Sequence, residues 1–179
     1  PDSLISITYK LHGTSGISSY VLCKRYIPIR EKIGGFIHNI YTYISSLGKQ
    51  KFKLEETEYG YLNSSRKVIK NEELNPNANH YYGFDIWSEA DQVLRPFLQK
   101  GMTFYYEIVG FLPTNAMIQK DYDYGYNPFI PIEGDSSSFI YREGQNYGIY
   151  LYRITYTNVD GKVFEYSAKQ VQDFCKKNG

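Results

Sequence analysis

A chain of 179 residues with a formal net charge of +1 can bury one sizeable core, and it is too evenly charged to attract polyanions in bulk, so any nucleic-acid contact must come from a local basic patch. No apolar run approaches the roughly 18 residues of a membrane helix. The two cysteines, Cys23 and Cys175, make neither a disulfide framework nor a zinc pattern, so no membrane partner and a reducing, cytoplasmic setting are expected. The 20 tyrosines suit half-buried β surface and also stacking on bases, which points to a β-rich chain and leaves nucleic acid open.

In chain order, residues 5–10 alternate as a strand, with Ile5, Ile7 and Tyr9 on a buried face and Lys10 on the other, running into a turn bounded by Gly13 and Gly16. Lys10 stands at that junction, beside backbone left open by Gly13 and donors from Thr14 and Ser15. These are the parts of an amine nucleophile next to a phosphate. An exposed lysine before a turn is the ordinary alternative. A second strand is expected over 16–25. Residues 26–50 carry Pro28, Gly34-Gly35 and an apolar set at helical spacing, and read as an insertion between two strands. A further strand is expected over 52–61. Ser65-Arg66 follows it, where an arginine at a strand edge can fork onto a phosphate.

A polar loop is expected over 71–82. Asp85 then caps a helix predicted to run to about Gln99, with Ile86, Ala90, Val93, Leu94 and Phe97 as its apolar stripe, Trp87 as a packing residue and Pro96 distorting its last turn. Residues 102–111 form a strong strand whose one carboxylate, Glu107, must face solvent or a partner. Asp121 and Asp123 read as turn residues, a cation-binding pair being the alternative. After a Pro-, Gly- and Ser-rich loop over 127–146, residues 147–157 alternate, with Ile149, Leu151 and Arg153 on one face and Tyr150, Tyr152 and Ile154 on the other. Residues 158–161 form a hairpin turn into a strand over 162–166. A capping box of Ser167 and Gln170 opens a last helix with Val171, Phe174 and Cys175 inward.

The run Lys10-Leu11-His12-Gly13-Thr14-Ser15 resembles motif I (Lys-x-x-Gly) of the covalent nucleotidyltransferases, the superfamily of ATP-dependent ligases and mRNA capping enzymes. Its His-Gly pair is most similar to the RNA ligase branch that includes T4 RNA ligase 2. Ser65-Arg66 resembles motif Ia of that superfamily, Tyr106-Glu107-Ile108-Val109-Gly110 resembles motif III, and residues 150–155 resemble motif IIIa. The four stand in the expected order. The resemblance implies an α+β fold, a ligase-type, ATP-grasp-like nucleotidyltransferase domain with an antiparallel β-sheet and a few flanking helices. It implies an RNA ligase in which Lys10 becomes lysyl-AMP and His12 acts afterwards. Gly13, Ser65, Arg66, Glu107 and Tyr152 then bind the nucleotide, with Tyr152 stacking on adenine and Glu107 also a metal ligand. ATP and Mg²⁺ or Mn²⁺ are the implied cofactors, and nicked or broken RNA the implied partner.

Two motifs of the superfamily, an acidic Glu-Gly (motif IV) and a Lys-x-Lys strand (motif V), have no counterpart after Gly161, and the Glu-Gly pairs at Glu133 and Glu143 come too early. Ser15 stands where the closest branch has asparagine, and Arg153 where it has an acidic residue. Residues 1–179 are therefore expected to be a partial domain, incomplete for catalysis and weak in ATP binding. A non-catalytic nucleic-acid-binding relic of the fold, using Lys24-Arg25, Arg66-Lys67 and tyrosine faces, is the alternative from a different class. A DNA ligase or capping-type enzyme is the nearer alternative.

Overall fold

The computed structural model describes residues 8–24, 34, 57–70, 82–128 and 144–178. Among these residues one antiparallel sheet has six strands: β1 (Thr14–Lys24), β2 (Thr57–Ser65), β3 (Ile69–Lys70), β4 (Met102–Gly110), β5 (Tyr147–Thr157) and β6 (Val163–Glu165), in the order β3-β2-β1-β4-β5-β6. With helices α1 (Ile86–Leu94) and α2 (Ala168–Asn178) among the described residues, the chain is of the α+β class expected from its sequence. It divides into two compact units, residues 1–21 with 61–179, and residues 22–60. In the smaller unit the Cys23 thiol lies 3.9 Å from the Gly60 carbonyl. Apart from Gly34, the insertion expected at 26–50 lies outside the described residues, as does nearly all of the 71–82 loop.

β4 organises the larger unit. Phe104, Tyr106 and Ile108 alternate onto one face and are fully buried, and they join Ile86, Trp87 and Ala90 of α1 and Val171 of α2 in a single core. The opposite face carries Tyr105 and Glu107, which remain partly accessible. Deep in the core the Tyr106 hydroxyl lies 3.2 Å from that of Ser18 on β1, each the other's partner. Burial pushes the Tyr106 phenol well above the ordinary tyrosine range, the Ser18 hydrogen bond opposing it in part. Tyr106→Phe leaves the buried Ser18 hydroxyl alone and should lower unfolding stability at neutral pH by about 1–2 kcal/mol, measured by urea denaturation. Because the folded pKa is the higher one, the protonated phenol stabilises fully below the unfolded value of 10.0 and that contribution drains away as pH rises above it. The variant should therefore lose less stability per pH unit above pH 10 than the parent protein.

Helix α1 starts as its sequence dictates. The Asp85 carboxylate accepts the Ser88 amide at 3.3 Å and the Ser88 hydroxyl at 2.9 Å. It ends earlier than Gln99, because Pro96 has no amide hydrogen to donate and the chain tightens into a 3-10 turn over Arg95–Phe97. Val93 and Phe97, expected on the inward stripe, are 37% and 36% exposed. The buried polar member of the helix is Asp91, whose carboxylate accepts from the Arg95 guanidinium one turn on. That guanidinium lies over the Tyr61 ring at 4.7 Å, and Tyr61 stacks on Tyr20 at 4.2 Å. Pairing is what lets this carboxylate stay buried.

Two further expectations change. Residues 8–12 are not a strand and Tyr9 is 99% exposed, with no strand beside it among the described residues. The glycine-bounded turn at 13–16 is instead the beginning of β1. Of the strand expected over 52–61, residues 57–61 are strand, within β2, and residues 52–56 lie outside the described residues. The box of Ser167 and Gln170 does open α2: the Ser167 amide donates to Gln170 Oε1 at 2.8 Å, and the Gln170 amide to Ser167 Oγ at 3.3 Å.

Candidate functional site

The register of β1 against β4 decides what faces the open side of the sheet. Ser15 pairs with Glu107 and Ile17 with Tyr105 on that side, while Gly16 pairs with Tyr106 and Ser18 with Phe104 toward the core. A Cβ on Gly16 would lie 2.3 Å from the Tyr106 ring, so the buried tyrosine requires glycine opposite it. Over the open side lies a cleft of about 1070 Å³, at the upper end of the range for small-molecule sites. Lys10, His12, Gly13, Ser65, Arg66, Glu107 and Tyr152 all line it.

Glu107 is spent on the lysine segment. Its Oε1 accepts the Gly13 amide at 2.9 Å and its Oε2 the Ser15 hydroxyl at 2.7 Å. A lone carboxylate in an apolar strand thereby finds a partner in the backbone three residues after Lys10. Gly13 sits so close to β4 that a Cβ there would lie 2.1 Å from the Ile108 carbonyl oxygen. The indole of Trp87 adds a third tie, donating to the Ser15 carbonyl at 3.0 Å. Trp87 is thus more than the packing residue expected of it. Glu107→Gln keeps one acceptor oxygen and gives up the charge assistance, a loss of about 1.5 kcal/mol. Any reaction at Lys10 that depends on this placement should slow about tenfold, with the thermal midpoint falling by about 3–6 °C. Comparing rate and melting curve for the two proteins checks it.

Arg66 and Lys67 lie in the turn between β2 and β3, exposed and facing the same cleft as Lys10. Among the described residues none of these three cations sits in an ion pair. Glu107 is the one carboxylate among the described lining residues, so these residues together carry a local positive excess that the whole-chain charge conceals. This arrangement suits a ligand with several negative charges.

The far wall is aromatic. On β5, Arg153 pairs with Tyr105 and Leu151 with Tyr106, leaving Tyr152 as the extra residue of a β-bulge. The bulge overturns the simple alternation expected for this strand. Ile149 and Leu151 pack toward the core before it and Ile154 after it, while Arg153 turns its guanidinium onto the Tyr105 ring at 4.7 Å. Arg153 also donates to Glu165 at 2.8 Å. Tyr152 stays 56% exposed, its ring available beside those of Tyr105 and Tyr150. Partial burial raises the Tyr152 phenol above its ordinary range, the Glu107 charge adds to this, and a hydrogen bond with Ser15 offsets part of it.

Among the described residues no group of three His, Cys, Asp or Glu side chains could hold a metal ion. The Asp123 carboxylate accepts the Gly125 amide at 2.8 Å, the turn role expected of it. The contributions of Trp87, Tyr105, Tyr122 and Tyr124 were not legible in sequence, because each acts across more than 70 intervening residues or across a strand pairing. Comparison of the chain with protein-family models, with curated proteins and with solved structures finds no match.

Proposed function

We propose that this chain is part of an ATP-dependent RNA ligase, a covalent nucleotidyltransferase of the cytoplasm, with Lys10 as its nucleophile. One observation supports the reading above all. Residues marked by resemblance in four separate stretches, Lys10 with His12 and Gly13, Ser65 with Arg66, Glu107, and Tyr152, line one cleft.

The chemistry follows from the placement. An unprotonated amine at Lys10 attacks the α-phosphorus of ATP. The nitrogen–phosphorus bond forms, the bond to the β-phosphate oxygen breaks, pyrophosphate leaves, and the amine gives up its proton. Arg66 and Lys67 offset the negative charge of the phosphates, and the exposed tyrosine rings stack on the base. Glu107 holds the segment from Gly13 to Ser15 so that the amine is presented rather than free to wander. Among the described cleft residues Glu107 would be the carboxylate to ligate a Mg²⁺ or Mn²⁺ ion accompanying ATP, through lone pairs left by its hydrogen bonds to Gly13 and Ser15. The AMP then passes to an RNA 5′-phosphate, and a 3′-hydroxyl displaces it to join the ends, with His12 serving these later steps.

The complete polypeptide carrying these residues, given ATP and Mg²⁺, should seal nicked RNA bearing 5′-phosphate and 3′-hydroxyl ends. A second reading, a nucleic-acid-binding module without catalysis, draws on the same cations and tyrosines. RNA binding with no consumption of ATP would select it. Sealing confined to DNA ends, or attachment of GMP in place of AMP, would select the other two enzyme classes.

A further inference from the structure

We infer that Tyr122 and Tyr124 are positioning residues that fix His12 in the cleft. The kinetic half of this inference rests on the ligase reading above. Residues 8–12 have no regular structure, so the His12 amide has no strand carbonyl to meet. It donates instead to the Tyr124 hydroxyl oxygen at 2.8 Å, from a residue 112 positions away. The His12 imidazole lies on the Tyr122 ring, with centroids 4.2 Å apart and planes 16° from parallel. One tyrosine therefore holds the backbone of His12 and the other its ring. The residue between them, Asp123, turns its carboxylate back onto the Gly125 amide and so stabilises the turn that presents both.

This clasp is anchored to the strand that carries Glu107. The Ile118 amide donates to the Gly110 carbonyl at the end of β4 at 2.9 Å, Phe111 bridges to Met117, and the Ile118 side chain is buried. The Tyr122 amide then donates to the Gln119 carbonyl at 3.1 Å. β4 thus grips the lysine segment twice, through Glu107 at Gly13 and Ser15 and through the clasp at His12. His12 lines the cleft and the two tyrosines do not, so they act through it. Lys10 keeps its second tie through Glu107 when the clasp is lost, whereas the His12 ring has no other described support. Loosening the clasp falls on His12 first.

The test uses the complete polypeptide with Tyr122→Leu, Tyr122→Phe and Tyr124→Phe. By NMR, the His12 ring protons should be shifted upfield by the Tyr122 ring current, the shift surviving in Tyr122→Phe and vanishing in Tyr122→Leu. The His12 amide should exchange faster in Tyr124→Phe, which loses only the acceptor. In the enzyme assay, Tyr122→Leu should seal pre-adenylylated RNA on the order of tenfold more slowly, with Lys10 adenylylation within about twofold of the parent and Tyr122→Phe restoring sealing. A His12 ring and amide indifferent to these substitutions would overturn the clasp itself, whatever the enzyme does. Should the parent protein form no lysyl-AMP, the ligase reading fails and the NMR arm still decides the clasp. Equal sealing by Tyr122→Leu and Tyr122→Phe in a protein that does form it would refute the positioning role.

Discussion

Lys10→Arg should abolish adenylylation entirely while leaving the fold unchanged. The guanidinium stays protonated at any working pH, so it offers phosphorus no lone pair even where it keeps the positive charge. Lys10 is exposed, in a stretch without regular structure, and its side chain touches none of the core. The unfolding free energy should therefore stay within about 0.5 kcal/mol of the parent. ATP affinity should fall little, since Arg66 and Lys67 and the tyrosine wall remain. The expected signature is binding without labelling, read by calorimetry beside transfer from α-labelled ATP. A variant that labels at the parent rate would show that another group is the nucleophile.

Gly13→Ala should cost about 10²-fold in the same reaction although it adds only a methyl group. That methyl would have to occupy space 2.1 Å from the Ile108 carbonyl oxygen, and 2.8 Å from a Val109 methyl. The near neighbour is backbone in the most buried strand, so it cannot give way, and the lysine segment must move instead. An ordinary contact requires a displacement of more than 1 Å, and a misplacement of that size is what in-line attack tolerates least. The Gly13 amide also leaves Glu107, forfeiting a charge-assisted hydrogen bond. The sheet should still form, because Gly13 precedes β1 and takes no part in the core. Slow labelling with a near-normal melting curve is the expected pair of results. Labelling at the parent rate would mean that the segment is not held against β4 when it reacts.

What the sequence reveals here is whatever repeats locally. The apolar and aromatic run at 102–111 identifies β4, Asp85 identifies the start of α1, and Ser167 with Gln170 that of α2. The isolation of Glu107 among apolar neighbours already says that it needs a partner. Which partner depends on strand register, which sets Ser15 opposite Glu107 and leaves no periodic trace. The alternation read over residues 5–10 misleads for the same reason in its described part, residues 8–10. A two-residue period makes a strand only where a second strand lies alongside, and among the described residues none lies beside 8–12. The bulge at Tyr152 likewise arises from the mismatch between two strands, which neither strand's sequence records. Trp87 reaches Ser15 across 72 residues and Tyr124 reaches His12 across 112, distances at which no spacing rule operates.

The central claim is that one lysine of this cleft carries AMP. Incubating the complete polypeptide with ATP and Mg²⁺, digesting it and mapping the modified peptide by mass spectrometry tests that without reference to any RNA. AMP should be found on Lys10 alone, through a bond that survives alkali and is lost in acid as a phosphorus–nitrogen linkage is, and pyrophosphate should reverse it. AMP on a different lysine, or a protein that binds ATP and RNA yet never becomes modified, would contradict the account.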